Sequence, residues 1–96
     1  MQISIRYFTT LREITGKKEE HLVVPENQKP TVTSVLKILS DIHGKSFTDY
    51  VFDTEGKVKR CLQVLINGTN IFTLKQQEVL FQEGDVLAIL PPVSGG

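Results

Sequence analysis

Few residues in this chain are of the types that chemistry asks for. The histidines are His21 and His43, and the lone cysteine is Cys61. His21 opens a predicted strand. His43 closes a predicted helix, where the helix dipole favours a cation in any case. Neither has a cysteine or an acid at ligand spacing, so no zinc site is expected. Cys61 has no histidine or helix N-terminus nearby to lower its pKa, and it reads as a small strand residue rather than a nucleophile. Glu19 and Glu20 are adjacent in an extended segment, so they point to opposite faces and do not form an acid–base pair. No glycine-rich run opens a helix, which argues against a phosphate loop. What remains is the end of the chain, where Val86-Leu87-Ala88-Ile89-Leu90 is followed by Pro91-Pro92-Val93-Ser94-Gly95-Gly96.

That order reads as a buried strand followed by a stiff and then a slender tail. The prolines fix φ near −65° and cannot extend a sheet ladder, so they aim the chain away from the body. The glycines remove side-chain bulk and restore backbone freedom. A tail built this way can be threaded into a narrow slot of another protein, carrying its terminal carboxylate. Gly-Gly alone is weak support, because polar, glycine-rich termini are common. The apolar run, the Pro-Pro pair and the terminal Gly-Gly in succession carry more weight. Residues 1–90 are expected to form the body, and residues 91–96 an exposed, flexible tail.

Composition narrows the function classes. The chain has 96 residues, enough for one domain with a real core. Lysine plus arginine and aspartate plus glutamate stand at 11 each. That balance argues against general nucleic-acid or membrane-surface binding, which needs a basic surplus. Lys57-Val58-Lys59-Arg60 reads as a solvated loop edge. A lone cysteine allows no intrachain disulfide, no secretory signal pattern is visible, and no apolar run approaches membrane-spanning length. The expectation is a soluble, cytoplasmic protein, monomeric when free.

The elements that must hold the tail follow from periodicity. Residues 2–8 alternate, with Ile3, Ile5 and Tyr7 on one face and Phe8 on the other, a candidate exposed apolar residue. Thr9-Thr10 can cap a short helical turn that Gly16 ends, with Leu11 and Ile14 inward. Residues 21–24 read as a strand stopped by Pro25. Thr31 reads as an N-cap and Gly44 as the stop of the main helix, whose stripe is Val32, Val35, Leu36, Leu39 and Ile42. Residues 46–52 suit a second short helix. Residues 61–66 form a strand, Asn67-Gly68 a hairpin turn, and residues 70–72 the return strand. Residues 73–82 read as irregular, anchored by Leu74, Val79 and Leu80. Residues 86–90 form the last strand. The predicted class is α+β. A mixed sheet of four to five strands packs on one main helix and leaves its other face partly open, the β-grasp or ubiquitin-like layout.

The run Tyr7-Phe8-Thr9-Thr10-Leu11-Arg12-Glu13-Ile14-Thr15-Gly16 resembles the opening of the MoaD family, the small subunit of molybdopterin synthase. The segment Leu65-Ile66-Asn67-Gly68-Thr69-Asn70-Ile71 and the ending from Glu83-Gly84-Asp85 to Pro91-Pro92-Val93-Ser94-Gly95-Gly96 resemble its second half. Archaeal ubiquitin-like modifiers share this ending, whereas thiamine sulfur carriers end in Gly-Gly but typically lack the Pro-Pro. Thr9-Thr10, Gln76-Gln77, Leu90 and a longer stretch over residues 45–60 depart from the MoaD pattern.

The resemblance implies a carrier that is not itself an enzyme. An activating enzyme of the ubiquitin-activating type would use ATP and Mg²⁺ to adenylate Gly96, with no cofactor bound by the carrier itself. Sulfur transfer would give a thiocarboxylate for molybdopterin synthesis in the large synthase subunit, so that this chain can serve as the synthase's small subunit. Alternatively, target lysines would attack the activated Gly96 and form isopeptides. Pro91, Pro92, Val93, Ser94 and Gly95 would be read by the partner's channel, and Phe8 and Leu90 would dock around the base of the tail. A third reading is a non-covalent interaction domain in which Gly-Gly is incidental.

Overall fold

In the computed structural model the alternation in residues 2–7 does what its period dictates. Ile3, Ile5 and Tyr7 are buried on one face of β1 (Gln2–Tyr7). The structure describes residues 1–73 and 79–92; Leu74, the Gln76-Gln77 pair, Val93, Ser94, Gly95 and Gly96 lie outside the described residues. After β1 come α1 (Thr10–Thr15), β2 (Glu19–Val23), α2 (Val32–His43), α3 (Lys45–Val51), β3 (Gln63–Ile66), β4 (Thr69–Asn70), a 3₁₀ turn (Ile71–Thr73) and β5 (Val86–Leu90). The five strands lie in the order β2-β1-β5-β3-β4. β1 and β5 run parallel, and the other pairs are antiparallel. With the helices on one face, this mixed sheet is the β-grasp fold. Among the described residues no helix is long and apolar enough to cross a membrane.

Local chemistry explains the main helix. Thr31 Oγ1 accepts from the Ser34 N–H at 3.1 Å, and Ser34 Oγ accepts from the Thr31 N–H at 3.0 Å. This reciprocal capping box satisfies donors that the first turn leaves open. Gly44, at φ 89°, takes a backbone conformation that side chains resist, and the helix stops there. Val32, Val35, Leu36 and Leu39 are buried against Ile3, Ile5, Val64, Leu87 and Ile89 in one core. Burying each such side chain contributes about 1.5–3 kcal/mol before chain entropy is counted.

Several boundaries differ from the sequence expectation. α3 runs from Lys45 to Val51, one residue earlier than its pattern implied. β2 begins at Glu19, two residues earlier, because β1 supplies antiparallel partners for Glu19 and Glu20. β3 begins at Gln63; Cys61 sits in the preceding turn, exposed, while Leu62 still reaches the core. The return strand is Thr69–Asn70, and the chain coils at Ile71. α1 starts at Thr10 without a side-chain cap hydrogen bond from Thr9, whose φ of 45° is a strained geometry for a β-branched residue. Leu80, expected as an anchor, is 49% exposed, whereas Phe81 is buried. Phe81 donates its N–H to Pro30 O at 2.8 Å, and this extended segment alternates Val79 and Phe81 inward with Leu80 out.

The largest correction concerns His43 and Glu20. Ile42 is 55% exposed, and His43 takes the inward position at the end of α2. The side chains of His43 and Glu20 are 9% and 10% exposed. A carboxylate can only accept, so His43 Nε2–H donates to Glu20 Oε1, at 2.6 Å. The Tyr7 hydroxyl donates to the same oxygen, and Lys17 Nζ donates to Oε2 at 3.1 Å. The His43 ring also meets the Tyr7 ring edge-on at 6.0 Å and lies 5.7 Å from Phe47. A histidine therefore does have an acid partner, in space rather than in sequence. Glu19 and Glu20 do point apart, as alternation requires.

This hub makes stability depend on pH. Burial alone would raise the Glu20 pKa. The hydrogen bonds from Tyr7, His43 and Lys17, with the attraction of His43, outweigh burial and hold it below its ordinary 4.5. A depressed carboxyl pKa contributes stability that is complete above the unfolded value and is lost as pH falls through the folded one. Urea melts should therefore weaken progressively below about pH 4.5. Glu20→Gln should lower stability at pH 7 by about 2 kcal/mol and flatten that acid limb. An unchanged acid limb in the variant would assign the loss to other carboxyls.

Candidate functional site

The end of β5 is placed by three strands. β1 and β3 flank it, with Tyr7 opposite Ile89 and Gln63 opposite Leu90. Phe8 follows Tyr7, so it comes alongside Leu90 one step beyond the last pair. Phe8, Leu90 and Pro91 are half-buried and Pro92 is exposed. These are the described members of the predicted site; Val93, Ser94, Gly95 and Gly96 lie outside the described residues. The structure thus brings Phe8, Leu90 and the Pro-Pro pair together at one end of the sheet.

The uncovered sheet face leads to the same place. Alternation turns Ser4 and Arg6 of β1, Val86, Ala88 and Leu90 of β5, and Gln63 and Leu65 of β3 away from the helices. Of these Arg6 is exposed and the rest are half-buried. Ala88 lies between Arg6 and Leu65, and its small side chain leaves a shallow apolar strip that ends at Leu90.

Two arginines flank the exit of the tail, and sequence reasoning singled out neither as functional. The Arg12 guanidinium lies 5.4 Å from the centroid of the Phe8 ring, and its Nε donates to Tyr7 O at 3.0 Å. On the other side the Arg60 guanidinium lies 5.1 Å from the centroid of the Phe72 ring. Arg60, Cys61, Gln63, Asn70, Phe72 and Pro92 line an open groove of about 420 Å³. Neither arginine could have been found by spacing, because the β-sheet brings residues distant in sequence to one rim.

The rim holds little that could react. Cys61 is free and exposed, with no histidine or carboxylate hydrogen-bonded to it among the described residues. Among those residues no group of three or more histidines, cysteines, aspartates and glutamates gathers to hold a metal ion. The His43–Glu20 pair is walled in between Tyr7 and Phe47. What the rim can do is dock, and give direction to whatever follows Pro92.

The sequence model of the ThiS family matches residues 5–96. The chain belongs to the ThiS family. It is similar to Small archaeal modifier protein 3 of Haloferax volcanii, at 31% identity over the whole of both chains. A putative sulfur carrier protein of Archaeoglobus fulgidus is 29% identical over 72% of this chain and 77% of its own length. The crystal structure of SAMP1 from Haloferax volcanii superposes with a TM-score of 0.81, at 29% identity and with full coverage of both chains. This ThiS-family chain is a ubiquitin-like protein among small modifiers and sulfur carriers, which are not catalysts themselves.

The groove beside Pro92 has a direct check. The native chain should titrate its single thiol, Cys61, with a maleimide within minutes at pH 8 and without denaturant. Labelling that waits for urea would show the groove closed.

Proposed function

We propose that this ThiS-family chain is a sulfur carrier whose Gly96 is adenylated, converted to a thiocarboxylate, and used to donate sulfur in molybdopterin synthesis. The observation that carries this reading is the placement of Leu90, Pro91 and Pro92 at the end of a strand held on both sides. A tail that leaves the middle of a rigid sheet starts from a fixed point. Family membership extends through residue 96 and supports the role of the ending.

The chemistry is then shared between two proteins. A Gly96 carboxylate oxygen attacks the α-phosphorus of ATP held with Mg²⁺ by the partner, and pyrophosphate leaves. A sulfide-level nucleophile attacks the acyl carbon, AMP leaves, and the thiocarboxylate remains. Extended, residues 91–96 span at most about 20 Å, enough to reach a buried site while the body stays outside. In this division residues 1–90 are the handle and residues 91–96 the working part. Pro91, Pro92, Val93, Ser94 and Gly95 are read by the channel, and Phe8 and Leu90 pack at its mouth. The free chain is a cytoplasmic monomer.

The similarity to Small archaeal modifier protein 3 favours a second outcome of the same activation, an isopeptide between Gly96 and a lysine of a target protein. Mass spectrometry separates the two. After incubation with the activating enzyme, ATP and a sulfur source, the intact chain should gain the mass of oxygen replaced by sulfur. No such shift, with Gly-Gly remnants found on cellular lysines, would favour conjugation; neither signal would leave a non-covalent domain. Gly96→Ala should cut activation about a hundredfold by displacing the carboxylate, with an unchanged thermal midpoint.

A further inference from the structure

We propose that Arg12 and Arg60 form a cationic clasp around the exit of the tail and dock against carboxylates at the mouth of the adenylating enzyme's channel; this rests on the proposed activation of Gly96. The chain is neutral as a whole, but its charges are sorted along the sheet. At the far end, Glu83 accepts from the Gln2 N–H at 3.1 Å and Asp85 from the Gln82 N–H at 2.9 Å. At the tail end, Arg6 is engaged by Glu19, and Glu20 by Lys17 and His43. In the loop before Arg60, Glu55 pairs with Lys57, and Asp53 accepts N–H bonds from that loop. Among the described residues, Arg12 and Arg60 stand without an ion pair, as do Lys18, Lys29, Lys37 and Lys59 and the carboxylates Glu13, Glu26 and Asp41.

Arg12 and Arg60 differ from Lys18 in being held. Each guanidinium lies near an aromatic ring, Phe8 or Phe72, on opposite sides of the strand end that carries Leu90 and Pro92. A planar guanidinium beside a ring keeps its outer N–H groups free for a carboxylate and loses little entropy when one arrives. Arginine backed by an aromatic residue is also the composition that dominates binding energy at protein interfaces. Because the pairs bracket the exit, complementary carboxylates must bracket the entrance the tail uses. Charges at such a rim act on encounter and register rather than on the chemical step.

The test is ATP–pyrophosphate exchange by the cognate adenylating enzyme with the full chain as substrate. Arg12→Glu and Arg60→Glu should each raise KM about tenfold and leave kcat within about twofold. Arg12→Lys and Arg60→Lys should recover most of the loss, and the wild-type KM should rise with salt while that of the double reversal does not. Circular dichroism melts should show the Arg60 variants folded as the wild type. They keep the proposal testable where Arg12→Glu loses its bond to Tyr7 O. Exchange with the wild type but unchanged KM in the Arg60→Glu chain would overturn the clasp and leave the proposed function standing. A fall in kcat at unchanged KM would place the guanidiniums at the reacting phosphates and overturn it equally. No exchange with the wild type would overturn both.

Discussion

The parallel pairing of β1 with β5 is the constraint on which the rest depends. Antiparallel neighbours can be joined by a tight turn, but a parallel pair needs a crossover, and here everything between Phe8 and Asp85 serves as one. The chain leaves β1 through α1, returns on β2 at the edge, crosses the sheet with α2 and α3, and lays down β3 and β4 before β5 fills the gap. The last strand is thus the middle one of the five, with neighbours on both sides. A terminal strand at an edge would present open N–H and C=O groups and fray towards its end. A central one is held up to Leu90, opposite Gln63, and gives the following prolines a fixed origin.

Holding that sheet to its helices takes more than apolar contact at one point. The Glu20 hub joins β1 through Tyr7, β2 through its own backbone and α2 through His43, all at the tail end of the sheet. A lone buried carboxylate would cost several kcal/mol. Three donors supplied from different elements offset that cost and make the arrangement specific. Burial, and then the hydrogen bond and charge of Glu20, also push the Tyr7 phenol well above its ordinary value, which keeps it a donor across the working pH range. Tyr7 precedes Phe8 directly, so the hub fixes the strand that carries one wall of the tail exit.

What could be read from the sequence follows from what is local. The α2 cap, its stop at Gly44, the alternation of β1, the continuous apolar run of β5 and the Asn67-Gly68 turn are each encoded by a few adjacent residues, and each was legible. The stripe was legible to Leu39. Its last member was not, because Ile42 and His43 both fit helical spacing and hydropathy favours isoleucine. Only the position of Glu20, more than 20 residues away, makes the polar residue the inward one. Leu80 against Phe81 is the same kind of choice, decided by the backbone bond of Phe81 to Pro30. At the site, Phe8 was picked out by falling on the opposite face from Tyr7, and its docking role and that of Leu90 came from the family resemblance alone. Arg60 read as part of a solvated loop edge and Arg12 drew no reading of its own until the fold set them beside Phe72 and Phe8.

A division of labour emerges from these placements. Among the described residues, His43 and Glu20 are shut into the core, and the exposed Cys61 has no base hydrogen-bonded to it. A rim rich in arginine and half-buried apolar side chains is suited to being grasped, and a carboxylate is a poor electrophile until ATP activates it. Up to Leu90, pairing on both sides gives a partner a fixed geometry to recognise, and the direction of Pro91 and Pro92 is set from that point.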